Sequence, residues 1–280
     1  MNALEIRGLK KEYEGFSLDI ESLTVPGGCV MGLVGENGAG KSTTIKLILD
    51  MIRADAGTVL VLGEDNHTDF TRRKESIGVV PDEIGLGGLT AAQVGKVMAR
   101  VYKNWDGAAF ARYLERLSIP REKVFEKLSQ GMKKKLGIAV AMSHGARLLI
   151  LDEATNGLDP VVREDVLDML WEFTRDEENS VLISSHIVSD LEKICDYIAF
   201  LHEGRLLLCE EKDALVAEYG LLRCPASRLG ELDGSAIVTR RITPYGAEAL
   251  VRRDGVPAGT ELQNVGVEEI FVAMVKGDKS

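Results

Sequence analysis

The chain has 280 residues, 45% of them hydrophobic and 28% charged, proportions that exclude a disordered or fibrous protein. With 34 Lys and Arg against 44 Asp and Glu the net charge is −10, which argues against nonspecific nucleic-acid binding and against electrostatic attachment to an anionic membrane. Apolar stretches such as Leu148 to Leu151 are far shorter than the roughly 18 to 20 residues that cross a bilayer, and Met1 to Tyr13 lacks the apolar centre of a signal peptide. Cys29, Cys195, Cys209 and Cys224 are widely spaced, with no histidine at metal-ligand spacing. They read as reduced thiols of a cytosolic protein rather than a disulfide framework or a zinc site.

In chain order, Leu4-Glu5-Ile6 opens a strand and Phe16 to Ile20 alternates with period two. After the turn at Val25-Pro26-Gly27-Gly28, Cys29 to Val34 reads as a strand buried on both faces, as in a parallel sheet. A glycine-rich loop leads into a helix predicted over Thr43 to Ile52, followed by strands at Thr58 to Leu62 and Ser76 to Val80. From about Leu89 to Gly145 the spacing turns helical, which predicts a helical subdomain inserted into the sheet domain. The strand pattern returns at Arg147 to Asp152, Ser180 to Ser185 and Tyr197 to His202 with helices between, giving an α/β fold with a mainly parallel sheet. Residues from about Leu221 onward, with short alternating runs at Ala236 to Ile242 and a closing helix at Val267 to Val275, read as a small appended domain.

Gly35-Glu36-Asn37-Gly38-Ala39-Gly40-Lys41-Ser42 follows a predicted buried strand and opens a helix, the setting that a phosphate-binding loop requires. Glycines let backbone N–H groups curl around phosphates where side chains would obstruct, and the helix N-terminus adds partial positive charge. Gly35, Asn37, Gly38, Ala39, Gly40, Lys41, Ser42 and Thr43 are therefore the candidate phosphate contacts. Lys41 is placed to reach the β- and γ-phosphates and the Ser42 hydroxyl to hold Mg²⁺. The apolar strand Leu148 to Leu151 ends in Asp152 and Glu153. Asp152 is the second candidate ligand of Mg²⁺, and Glu153 the group that orients or deprotonates an attacking water.

Leu128-Ser129-Gln130-Gly131-Met132 stands about twenty residues before Asp152 and resembles the signature sequence of ABC ATPases. Over roughly residues 1 to 220 the other family markers occur in the expected order. The resemblance implies a P-loop NTPase fold, a RecA-like core with an antiparallel β part, an inserted helical subdomain at about 85–145, and a small extension at 221–280. It also implies that Tyr13 stacks on adenine, that Ser129, Gln130, Gly131 and Asp159 contact nucleotide, and that His186 contacts the γ-phosphate. The family works as a head-to-tail dimer with two ATP molecules between the subunits, so a second copy or a paralogue is implied. Membrane-spanning permease subunits, a cytoplasmic location on the inner face of the membrane, and ATP with Mg²⁺ as cofactors follow from the same resemblance.

The sequence departs from the family pattern in two places. Gln130 and Met132 stand where glycine and glutamine are usual, and Asp82 stands where most members carry a glutamine that touches Mg²⁺. A carboxylate coordinates Mg²⁺ at least as well as an amide, so Asp82 joins Ser42 and Asp152 in the metal set. Lys133-Lys134-Lys135 reads as a solvated helix face, and Trp105 either as a packing residue or as an anchor for a partner's helix. His67, His144 and His202 are given no role. The Gln/Met signature variant and the short extension resemble exporter ATPases of the antibiotic- and bacitracin-resistance type. A soluble ABC ATPase acting on ribosomes or DNA, and a nucleotide-dependent regulator that does not hydrolyse ATP, are the competing readings.

Overall fold

The computed structural model describes residues 1–68, 73–229, 233–243, 246–257 and 259–279. Its first two strands, Asn2–Tyr13 (β1) and Phe16–Pro26 (β2), pair antiparallel, with Ile6 opposite Leu23 and Leu9 opposite Ile20. Period-two alternation sends Leu4, Ile6, Leu9, Leu18, Ile20 and Leu23 to one buried face. Val30–Val34 (β3) follows, then Ala56–Val61 (β4) antiparallel to β1, and the short Glu64–Asp65 (β5) antiparallel to β4.

Ile77–Val80 (β6), Leu148–Asp152 (β7), Ser180–Ser185 (β8) and Tyr197–His202 (β9) join β3 in a parallel core. β3, β7 and β8 are buried along their whole length, which is why β3 and β7 read as apolar runs rather than alternating ones, while β8 carries apolar Val181 to Ile183 between buried serines. With Arg205–Glu211 (β10), the ten strands run β5-β4-β1-β2-β10-β9-β3-β8-β7-β6. The sheet is thus a parallel core carrying an antiparallel wing, and the C-terminal ends of β3 and β7 lead into the phosphate loop and into Glu153.

The helix after β3 spans Lys41–Ile48 rather than Thr43 to Ile52. It starts directly after Gly40, whose φ of 108° suits glycine alone, and it stops where Asp50 takes a left-handed φ of 55°. Between β6 and β7 lie helices Ala91–Val101, Gly107–Arg116 and Gln130–Ala141. Their N-termini are capped by Thr90, in a capping box with Gln93, by Asp106 and by Ser129. The Gln130–Ala141 helix seats on β6 at two glycines: a Cβ on Gly78 would stand 2.5 Å from the Ala141 carbonyl oxygen, and one on Gly137 would stand 2.5 Å from Ile84 Cδ1. Trp105 packs, stacking on Tyr102 at 6.5 Å and tilting against Phe110 at 5.1 Å.

Two further helices, Pro160–Phe173 and Val188–Ile194, complete the first compact unit, Met1–Cys209. The second unit, Glu210–Ser280, begins earlier than the change of texture near Leu221 suggests. It contains Tyr219–Cys224 (β11), Ile237–Thr243 (β12), Gly246–Arg252 (β13) and Asp278–Lys279 (β14), ordered β11-β13-β12-β14, and a closing helix Val267–Lys276. Leu222, Leu229, Ile237, Ala249 and Val251 form its own core. Among the described residues no helix is long and apolar enough to cross a membrane.

Candidate nucleotide site

The loop after β3 is shaped by its own backbone. The Ala39 N–H bonds the Glu36 carbonyl at 3.1 Å, and the Gly204 N–H bonds the Ala39 carbonyl at 3.0 Å, tying the loop to the turn after β9. A Cβ on Gly35 would lie 2.6 Å from the Leu201 carbonyl oxygen, so no larger residue fits there without moving β9. Lys41 is 5% exposed, and its Nζ donates to the Gly35 carbonyl at 2.7 Å and the Glu36 carbonyl at 3.1 Å. The ammonium thus folds back over the loop, at the centre of the space that the loop encloses.

That space is a cleft of about 260 Å³ lined by Phe16, Glu36, Asn37, Gly38, Gly40, Lys41, Ser42, Thr43, Asp82 and Glu153. Gly35 and buried Ala39 form the loop beneath it. Opposite the loop, Asp152 and Glu153 are 5% and 8% exposed. Ser184 Oγ donates to Asp152 Oδ1 at 2.6 Å and accepts from the Glu153 N–H at 3.1 Å, so one hydroxyl orders the side chain of the first acidic residue and the backbone of the second. Glu153 has a φ of +50°, left-handed backbone that a non-glycine residue rarely adopts. Its Oε2 lies 2.8 Å from His186 Nδ1, with the imidazole as donor because an ionised carboxylate only accepts. Its Oε1 is buried, stands 3.2 Å from Lys41 Nζ, and takes no hydrogen bond. Loop lysine, acidic residue and histidine therefore form one continuous cluster.

The lysine run does not form a solvated face. Lys134 and Lys135 are buried, and Lys133 lies 5.4 Å above the Phe125 ring. Lys134 Nζ donates to Asp82 Oδ1 at 3.0 Å and, through a short bond, to the Glu153 carbonyl. Burying an ammonium requires a counter-charge, and Asp82 supplies it. Of the histidines given no role, His67 Nδ1 lies 2.8 Å from Asp50, His202 Nδ1 is 3.4 Å from Glu36, and His144 stacks on Tyr102 at 4.0 Å.

Not every candidate residue lies at the cleft. Ser129 caps its own helix by accepting from the Met132 N–H at 3.3 Å, and so the helix starts at Gln130. Asp159 likewise caps the Pro160–Phe173 helix through the Val162 N–H at 3.1 Å. Gly131 abuts the Gly157–Leu158 turn, where a Cβ in place of its hydrogen would stand 3.2 Å from the Gly157 carbonyl oxygen. Ser129, Gln130, Gly131 and Asp159 thus stand apart from the residues lining the cleft, as does Tyr13, 46% exposed at the end of β1. Phe16, which does line it, is not singled out by the sequence; only its place beside Tyr13 across the β1–β2 turn, with ring centroids 6.5 Å apart, marks it.

The donors expected for the metal, the Ser42 hydroxyl and the Asp152 and Asp82 carboxylates, are all oxygen, a type that suits a hard cation such as Mg²⁺. Among the described residues no three His, Cys, Asp or Glu side chains converge to hold a metal alone. The set therefore fits an ion whose remaining ligands are phosphate oxygens and water.

A parallel core whose β3 ends in a phosphate loop, with an Asp-Glu pair at the end of β7 one strand away across β8, defines a phosphate-loop nucleotide hydrolase. Comparison with known proteins narrows the class. A family model described as "ABC transporter" matches residues 18–156. The ABC transporter ATP-binding protein YtrB of Bacillus subtilis is 33% identical over 77% of this chain and 74% of its own length. The bacitracin transport ATP-binding protein BcrA of Bacillus licheniformis is 36% identical over 68% of this chain and 63% of its own. A solved structure of the ATP binding subunit of an ABC transporter superposes with a TM-score of 0.66 at 26% identity, covering 76% of this chain and 91% of that one. The chain belongs to the ABC transporter ATP-binding family and is an ATP-binding, ATP-hydrolysing subunit of that kind.

Proposed function

We propose that the chain powers an exporter by closing and opening as a head-to-tail homodimer around two ATP molecules, bound to membrane-spanning permease subunits at the cytoplasmic face of the membrane. In this reading Lys41 and the loop N–H groups hold the β- and γ-phosphates, Tyr13 stacks on adenine, and Ser42, Asp152 and Asp82 serve Mg²⁺. The ion, when bound, neutralises charge on the transferred phosphate. Glu153 takes a proton from the attacking water, and His186 orients Glu153 and meets the γ-phosphate.

One observation carries the proposal: Glu153 Oε1 is buried beside the loop lysine, takes no hydrogen bond, and is held from the other side by His186. Such an oxygen is placed to accept a water proton. The likeness of Leu128 to Met132 to the family signature supports the dimer, in which Ser129, Gln130 and Gly131 meet the nucleotide held by a second copy. The bacitracin transport protein among the relatives supports a role in transport.

Glu153→Gln tests the reading. The variant is expected to bind ATP, to lose turnover by about 10² to 10⁴, and to elute as an ATP-dependent dimer. Wild-type turnover would reject Glu153 as the base. Affinity purification of the same variant with ATP from solubilised membranes is expected to bring down a multi-spanning chain at fixed stoichiometry. Recovery of soluble partners alone would instead support the non-transport alternatives.

A further inference from the structure

We infer that Lys134 is a positioning residue for hydrolysis: its Nζ, bridging the Glu153 carbonyl and the Asp82 carboxylate, fixes the peptide from which the Glu153 side chain projects. The inference rests on the reading of Glu153 as the base and goes beyond it by naming what aims that base.

The backbone of Glu153 needs such a support. Its φ of +50° persists only where the surroundings over-determine it. The N–H side of the residue is held by the Ser184 carbonyl at 3.2 Å and the Ser184 hydroxyl at 3.1 Å, both from β8. The carbonyl side is held by Lys134 and by the Asn156 N–H at 3.1 Å. Without Lys134 that carbonyl keeps only the Asn156 bond from its own turn and loses the charged donor that ties it to the neighbouring helix, so the peptide is free to tilt. The side chain then moves relative to Lys41 and His186, the two groups that define its place in the cleft.

Lys134 belongs to the helix capped by Ser129, Asp82 to the segment after β6, and Glu153 to the end of β7. One ammonium, 7% exposed, thus ties three elements together. The bridge also alters what Asp82 is. At 3.0 Å from an ammonium its carboxylate acts as a counter-ion, so an acidic residue stands at the wall of a phosphate cleft with its charge already compensated. Lysine at 134 and aspartate at 82 therefore read as one unit.

The test uses the full-length chain with four variants, Lys134→Met, Lys134→Gln, Glu153→Gln and the double variant Lys134→Met/Glu153→Gln, followed by ATPase rates, single-turnover rates, ADP affinity and circular dichroism. Lys134→Met keeps the length and removes every donor. Its kcat is expected to fall about 100-fold, the scale of an ångström of misplacement, a larger loss than the weakening of KM and ADP affinity that the uncompensated Asp82 charge brings. Lys134→Gln, which keeps an N–H donor, is expected to lie closer to wild type than Lys134→Met. In single turnover the double variant is expected to be no slower than Glu153→Gln, since a base that is absent cannot be misaimed. Wild-type kcat in Lys134→Met, equal losses in the Met and Gln variants, or losses that multiply in the double variant would each overturn the inference. If Lys134→Met does not fold, Lys134→Gln in the presence and absence of Glu153→Gln reads the same non-additivity. Wild-type turnover in Glu153→Gln alone would remove the base assignment itself; a normal loss there with no loss at Lys134 would remove only the positioning role.

Discussion

Lys41 is paired with Glu153, and nucleotide phosphates must compete with that carboxylate for the same ammonium. Glu153→Gln should therefore tighten ADP binding as well as stop hydrolysis. At 3.2 Å and an effective dielectric constant of about 20, the attraction is about 5 kcal/mol before desolvation is counted. The desolvation of two ions in the cleft wall, together with the carbonyls of Gly35 and Glu36 that keep Lys41 bonded, reduces the net pairing to about 1–2 kcal/mol. At 1.4 kcal/mol per tenfold, ADP should bind about five to thirty times more tightly to the variant. The ligand-free variant should also unfold at lower temperature, because Lys41 is then buried without a counter-charge. ADP is the right probe, since it lacks the γ-phosphate that closes the family's dimer, and isothermal titration calorimetry reads its affinity directly. Equal or weaker ADP binding by Glu153→Gln would show that the ion pair does not compete with nucleotide.

Three other substitutions probe the scaffold. His144 is fully buried against Tyr102 with Nε2 unpartnered, and burial holds its pKa below the ordinary 6.5; the unfolded chain then binds the extra proton, so stability present above about pH 6.5 is lost as pH falls towards the folded pKa. His144→Phe should flatten the acid side of the stability curve below about pH 6.5, and parallel urea-denaturation curves for the two proteins would contradict the assignment. Asp106 accepts from the N–H groups of Ala108 at 2.9 Å and Ala109 at 2.8 Å, so Asp106→Ala should cost about 1 kcal/mol in urea unfolding with no change in slope. Gly204 has a φ of +76° and a Cβ there would lie 1.8 Å from the Ser17 carbonyl oxygen, so Gly204→Ala should lose at least about 2 kcal/mol and lower Tm by several degrees.

What the sequence discloses is whatever is carried by short, contiguous patterns. β3 and β7 announce themselves as apolar runs because burial on both faces leaves no polar alternation. The phosphate loop is legible for a similar reason: glycine spacing, lysine and hydroxyl stand within eight consecutive residues. Element ends are less so. The Lys41–Ile48 helix stops at a left-handed Asp50, a conformation that the surrounding residues do not signal. The lysine run reads wrongly from sequence because three consecutive cations look solvated until a counter-charge is known, and the partner Asp82 is 52 residues away. Ser129 and Asp159 show the converse difficulty, since a residue suited to a ligand is equally suited to cap its own helix, and both of them do the latter here.

The glycine seat between β6 and the Gln130–Ala141 helix has a mechanical consequence. Where helices and sheets meet through long side chains, small shifts are absorbed by rotamer changes, and the joint behaves as a cushion. Gly78 removes the cushion on β6, leaving its backbone against the Ala141 carbonyl, while Gly137 makes room for Ile84 of the segment after β6. Such a joint has little compliance: the helix that begins at Gln130 and the strand that leads to Asp82 must travel together or separate. A load applied at one end of that helix then arrives at the wall of the nucleotide cleft as displacement, with little of it lost to side-chain slack along the way.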